Sequence, residues 1–333
     1  MKKEYVLERM DGQEVLVTGG LGFVGSNLAH RLVELGARVT IYDALLEPYG
    51  GNMANIKEIQ DKVEVVIGDV RDFDKLKNYV KDKDIIFNNA AQSSHLISME
   101  DPLLDIDINC RGIMNVLEAC RKYNDDAKIV YSGSRGQLGK LEYSPADEKH
   151  PENPLDIYGV NKVAGEKYHL VYHRIYGMRT TSVRMNNGYG PRAQIKHPKF
   201  CILNWFIRQA LLNEVITVYG DGKQTRDYNY IDDMVDALIL AAQSSKADGE
   251  VFLLGSGREI PIIDLIKLII KIVGQGEYRH VPWPKESKAI EIGNFFVSYE
   301  KIHKTLGWHP VTPIEEGLRK TVEFYKERLE EYV

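Results

Sequence analysis

Tyr158 and Lys162 stand four residues apart in Tyr158-Gly159-Val160-Asn161-Lys162. On a helix that spacing puts both side chains on one face. A free phenol has a pKa of about 10 and is a poor base at neutral pH. A nearby positive charge favours the phenolate and lowers that value. Tyr158 could then take a proton from an alcohol while a hydride leaves the same carbon. Ser134, closing Ser132-Gly133-Ser134, offers a hydroxyl to hold the reacting oxygen. Both signals have ordinary alternatives: a solvated pair on an amphipathic helix, and a turn serine bonding its own backbone. Gly133-Ser134-Arg135-Gly136 is no nucleophile elbow, which needs Gly-x-Ser-x-Gly.

Such groups need elements to place them. Val15-Leu16-Val17-Thr18 reads as a buried strand. Gly19, Gly22 and Gly25 follow at intervals of three, and Asn27 to Val33 has helical apolar spacing. A strand turning through glycines into a helix is a phosphate-binding device. Gly19 closes the turn, Gly22 lets a pyrophosphate approach the backbone, and Gly25 lets the helix lie close on the strand. The same pattern could be a βα turn that binds nothing. Arg38 to Asp43 reads as a second strand ending in an acid, 24 residues beyond Gly19. A carboxylate there accepts from the 2′-hydroxyl of NAD and repels the 2′-phosphate of NADP, so NAD is expected. Further strands are expected at 63–70, 84–92, 128–132 and 180–184, with long helices at 103–123 and 156–176. Asp69 and Val70 end the third strand where an adenine could rest. Ala90 and Ala91 end the fourth, where small residues let a cofactor lie against the backbone. Strands alternating with helices predict an α/β fold, a doubly wound parallel sheet of Rossmann type. After Asn187 the rhythm changes. Helices near 202–212, 231–244 and 260–273, a strand at 216–219 and a charged final helix predict a smaller mixed α/β lobe over 188–333. Residues 1–12 read as a polar lead-in, and 47–52 as a loop.

Composition narrows the classes. The chain has 333 residues, 44% hydrophobic and 27% charged, as in a soluble globular protein. A net charge of −5 gives no case for nucleic-acid binding. No run of apolar residues is long enough to span a membrane, and the N-terminus carries no apolar signal core. Cys110, Cys120 and Cys201 lack redox or metal spacing and are expected as reduced thiols. No zinc pattern occurs among the nine histidines, so no catalytic metal is expected. A cytoplasmic protein is expected.

Taken together, the motifs resemble the extended short-chain dehydrogenase/reductases that act on nucleotide sugars. The resemblance runs from Val15 to Trp308. It rests on Thr18 to Gly25, Asn88 to Ala91, Ser132 to Ser134, Tyr158 to Lys162, Arg184 to Arg192, Tyr219 to Asp227 and Leu306 to Trp308. It implies Ser134, Tyr158 and Lys162 as the catalytic triplet, with Lys162 also holding the nicotinamide ribose. It implies cofactor contacts at Gly19, Gly22, Phe23, Val24, Gly25, Asp43, Asp69, Val70, Ala90, Ala91, Gln92 and Asn109. For the substrate it implies Ser94, Ser134, Asn187, Arg192 and Arg226, with Asn187 and Arg226 on the sugar diphosphate. His95 could touch substrate or be a loop histidine with no role. The 4,6-dehydratases of the family place an acidic pair directly after the active-site hydroxyl residue; Arg135 and Gly136 stand there and cannot do that acid–base work. The resemblance therefore favours an NAD-dependent epimerase inverting C4 of a UDP-hexose through a transient ketone. A 2-epimerase, a dehydratase, a ketosugar reductase and a silent dinucleotide sensor are the competing expectations. It also implies a homodimer packed through the helices at 103–123 and 156–176.

Overall fold

Strands of three to seven residues, most of them followed by a helix, build the central sheet of this computed structural model, which describes residues 5–47 and 50–333. The strands are β1 (Glu14–Thr18), β2 (Arg38–Asp43), β3 (Val63–Ile67), β4 (Ile85–Asn88), β5 (Lys128–Ser134) and β6 (Thr180–Met185). Beyond them come β7 (Asn187–Tyr189), β8 (Val215–Tyr219), β9 (Thr225–Tyr230), β10 (Val251–Leu253), β11 (Glu259–Pro261) and β12 (Glu277–Val281). Seven strands lie in the order β3-β2-β1-β4-β5-β6-β10, and every pairing is parallel. The order reverses between β1 and β4, the place where such sheets open a crevice for ligands. The expected loop at 47–52 includes Pro48 and Tyr49, which lie outside the described residues, as do residues 1–4 of the lead-in.

Both faces of the sheet are covered, so β4, β5 and β6 are buried along their whole length. Alternate residues feed opposite cores. Val15, Val17, Ile41 and Phe87 pack with helices Phe23–Glu34 and Ile231–Gln243. Leu16, Tyr42, Ile86 and Tyr131 pack with helices Ile113–Tyr123 and Ile157–Tyr176. The expected helix at 103–123 is present with one irregularity: a wide π turn, Asp107–Gly112, joins Pro102–Ile106 to Ile113–Tyr123.

The division expected at 187 is crossed. Helix Ile231–Gln243 packs on β5 and β6, and β10 pairs with β6. The remaining chain forms a three-stranded sheet, β11-β9-β7, a two-stranded sheet, β12-β8, and a cover of helices Ile202–Leu211, Ile262–Val273 and Ile314–Arg328. Trp308 is fully buried between the two parts, its Nε1 donating to the Asp233 carbonyl at 2.8 Å. No helix among the described residues is long and apolar enough to cross a membrane.

One buried ion pair locks helix Ile157–Tyr176 onto the sheet. The Glu166 carboxylate lies 2.6 Å from Nη2 of Arg184 on β6. It also accepts from Arg184 Nε and the Ser182 hydroxyl, each at 2.9 Å, and from Gln137 Nε2 at 3.1 Å. Burial opposes ionisation of Glu166, but Arg184, Gln137 and Ser182 outweigh it and hold the carboxyl below its usual value. Removing one partner strands a buried charge. Glu166→Ala is expected to lose about 3–5 kcal/mol of unfolding free energy at pH 7, read by urea denaturation. Because the folded value is depressed, that stabilisation is present above the ordinary glutamate value of 4.5 and fades as pH falls. The gap between wild type and variant should therefore narrow on acidification.

Candidate active site

The turn after β1 is shaped for an anion. Gly19 has φ +67°, and a Cβ there would lie 2.9 Å from the Ala90 Cα. A Cβ on Gly25 would fall 2.2 Å from the Gly19 carbonyl oxygen. Both glycines are required by the protein's own packing. Gly22 is different: its φ is −80°, and a Cβ would meet only the Gly19 oxygen, at 3.4 Å. Gly22 faces the cavity, so what a side chain there would displace is a ligand. Helix Phe23–Glu34 begins at this point with no side-chain cap and no acid in its first turn. Its free N–H groups and dipole end therefore face the same space as Gly22, which suits a pyrophosphate.

Two carboxylates stand beside the turn. Asp43 accepts from the Leu21 and Leu45 amides, both at 2.9 Å, while burial pushes its carboxyl above the usual value. Asp69 is buried enough to resist ionisation, yet Arg71 grips both of its oxygens, at 2.6 to 3.0 Å, and holds it below that value. Asp43, Asp69, Val70, Ala90 and Ala91 all line the cavity, together with Phe23 and Val24.

The same cavity, of about 790 Å³, is lined by Ser134, Tyr158 and Lys162. Ser134 ends β5. Its hydroxyl accepts from the Gly136 amide at 3.1 Å and lies beside the Tyr158 phenol, whose pKa it lowers. Tyr158 opens helix Ile157–Tyr176, whose N-cap, Asp156, accepts from the Gly159 amide at 2.8 Å. Lys162 follows one turn later, its Nζ 4.6 Å from the Tyr131 ring centroid and 6.0 Å from that of Tyr158. Burial pulls Lys162 down to about 8, with Asp105 opposing. Burial pushes Tyr158 up to about 12 despite the Ser134 hydroxyl, and Asp156 and Asp105 push the same way. The chain's own groups thus hold the phenol protonated, the reverse of the direction expected from a lysine neighbour alone.

The facing wall carries substrate-sized polar groups. His95 Nδ1 bonds Asp156 Oδ2 at 2.6 Å, and its ring stands edge-on to Tyr158 with centroids 5.0 Å apart. Arg135 Nε donates to Asn187 Oδ1 at 2.7 Å; burial, and then Arg226, pull its pKa down to about 10. Arg226 pairs with Glu291 at 2.7 Å.

A family model described as GDP-mannose 4,6 dehydratase matches residues 16–321. A putative UDP-glucose 4-epimerase of Methanocaldococcus jannaschii is 36% identical over 315 residues, covering 94% of this chain and 98% of that one. A UDP-N-acetyl-α-D-glucosaminuronate decarboxylase of Bacillus cytotoxicus is 32% identical over 320 residues, covering 94% and 97%. The solved UDP-glucose 4-epimerase of Thermus thermophilus, in complex with NAD, superimposes with a TM-score of 0.84 at 29% identity, covering 95% of this chain and all of that one. The chain belongs to the extended short-chain dehydrogenase/reductases that act on nucleotide sugars.

Four residues that the family resemblance had placed at the ligand do not line the cavity. Gln92 is buried, its Nε2 donating to Asp105 at 2.6 Å and to the Ser94 carbonyl at 2.9 Å. Asn109 lies beneath it, donating to the Gln92 carbonyl at 2.8 Å and to Asp105 at 3.0 Å. Ser94 points inward and caps helix His95–Glu100, while its neighbours Ser93 and His95 face the cavity. Arg192, at φ +69°, donates to Asn27 and to the Asn55 carbonyl and lies over the Phe324 ring. Asn187 and Arg226 do line the cavity. Sequence reasoning missed Asp105, Asp156 and Glu166. Glu166 had a signal, since it continues the four-residue spacing of Tyr158 and Lys162.

Gly22→Ala should keep the wild-type melting temperature and lose at least tenfold in NAD affinity, measured by titration calorimetry. Gly25→Ala should lower both.

Proposed function

We propose that the chain inverts C4 of a UDP-hexose, with NAD as its resident coenzyme. What carries the reading is the convergence of Ser134, Tyr158 and Lys162 on a cavity that the Gly19–Gly25 turn also lines. The glycine turn would hold the pyrophosphate, Asp43 the adenosine ribose, and Asp69 and Val70 the adenine pocket. Ala90 and Ala91 leave room for the dinucleotide along the ends of β1 and β4. NAD, when bound, accepts a hydride from a sugar carbon and returns it. Ser134 holds the reacting hydroxyl, and Tyr158 takes its proton and later gives it back. Lys162 supplies the positive charge that a buried phenolate requires, and a second positive charge from the coenzyme acts in the same direction. Arg135 and Gly136 supply no acid to expel water from the sugar, which favours inversion over dehydration. The epimerases among the similar proteins support the same reading.

Purified enzyme given UDP-glucose without added cofactor should form UDP-galactose, read by proton NMR. Tyr158→Phe should cut turnover by about 10²–10⁴-fold while NAD stays bound. Unchanged turnover in that variant would remove Tyr158 from the proton transfer.

We further infer that two copies pair through the helices flanking the site. Leu103 is 74% exposed and Ile175 61%, with Ile106 and Val171 beside them on the same helices. Apolar side chains left in water along both helices offer an association surface. Wild type should elute as a dimer at micromolar concentration, and the double variant Leu103→Asp, Ile175→Asp as a folded monomer.

A further inference from the structure

Arg135 reaches the cavity without an acid. No carboxylate of the described residues lies within 4.0 Å of its guanidinium; its one hydrogen bond runs from Nε to Asn187, and the Phe295 ring centroid lies 5.4 Å away. The molecule treats its other buried arginines differently. Arg184 is clasped by Glu166 and Glu152, and Arg226 is held by Glu291 and by the Thr225 and Gly293 carbonyls. A half-buried cation with no anion is costly unless a ligand brings one. Nη1 and Nη2 of Arg135 remain free for it, in the fork geometry that matches a carboxylate.

Position says which part of the ligand they would meet. Arg135 directly follows Ser134, and its charge acts on the Tyr158 phenol. It also lines a smaller annex of about 180 Å³, shared with His95, Asp156, Arg226 and Glu291, where Asp156 is bonded to His95 and Glu291 to Arg226. This is the neighbourhood of the reacting carbon and the substituent next to it, away from the glycine turn.

We propose that Arg135 selects a carboxylate carried by the sugar, so that the substrate class is a nucleoside-diphosphate hexuronate. The proposal rests on the nucleotide-sugar reading above and narrows it. It also has a chemical consequence. A uronate oxidised at C4 is a β-keto acid: the C5–C6 electron pair can move into the ring ketone as carbon dioxide leaves. The carboxylate's negative charge disperses along that path. A guanidinium on the carboxylate therefore stabilises the starting state more than the transition state and opposes the loss. The expected product keeps C6.

The test uses the NAD-loaded enzyme, with UDP-glucuronate, UDP-glucose and UDP as probes, by calorimetry and NMR. Wild type should bind UDP-glucuronate at least tenfold more tightly than UDP-glucose and convert it to UDP-galacturonate. Arg135→Gln should lose most of that preference while binding UDP-glucose and UDP as before, and Arg135→Lys should recover part of it. An equal loss for all three probes would show that Arg135 grips the diphosphate and would overturn the proposal. So would a wild-type preference for UDP-glucose. Selective uronate binding through Arg135 with no C4 product would sink the epimerase reading and leave the carboxylate site standing. Epimerised UDP-glucose with no uronate binding would do the opposite. A UDP-pentose product would overturn the retention of C6.

Discussion

The geometry of the site depends on a carboxylate that never reaches it. Tyr158, Lys162 and Glu166 follow one another at four-residue intervals along a single helix. The first two line the cavity; the third is fully buried against β5 and β6. Glu166 accepts from Gln137 Nε2, and Gln137 Oε1 accepts from the Ser134 amide at 2.8 Å. One side chain therefore ties the tyrosine helix to the serine turn. Asp105 does similar work on the other flank, accepting from Gln92, Asn109 and Asn161. An ionised group inside a protein is tolerated only with well-placed donors, and a network that meets this demand is rigid. Rigidity is what a proton transfer over hydrogen-bond distance requires.

The electrostatics of Tyr158 and Lys162 follow from the same burial. Each is pushed toward its neutral form, the phenol upward and the ammonium downward. At neutral pH the phenol stays protonated, while Lys162, at about 8, still holds its charge for most of the time. A charge on the phenol would lie in a medium of low polarity, where Lys162 and Arg135 act over short distances with little loss.

Much of this was legible in the chain. The turn after β1 announces itself because glycine spacing and an apolar strand are local signals, and the parallel sheet follows from strand–helix alternation. Strands β7, β9, β11 and β12 were not legible: they are short and rich in polar residues, and they exist only through pairings with distant segments. The π turn at Asp107–Gly112 adds one residue to a helix whose apolar residues are too few there to reveal the shift. Around Gln92, Ser94 and Asn109 the motif located the right neighbourhood but not the direction of each side chain. In the segment after β4, Ser93 and His95 face the ligand space while Ser94 turns inward to cap a helix. Arg192 ends a matched motif, yet its left-handed backbone turns it toward the C-terminal helix. Buried acids such as Asp105 escape notice because their partners come from three separate stretches of chain.

The late return of the polypeptide to the main sheet, through helix Ile231–Gln243 and β10, has a mechanical meaning. A lobe stitched to its neighbour by a shared strand and a common core cannot swing on a hinge as a separate body. Entry of a bulky diphosphate ester must therefore be accommodated by local rearrangement at the rim, with the floor staying fixed. On the epimerase reading proposed above, a ring that turns over between two half-reactions would do so inside walls of constant shape.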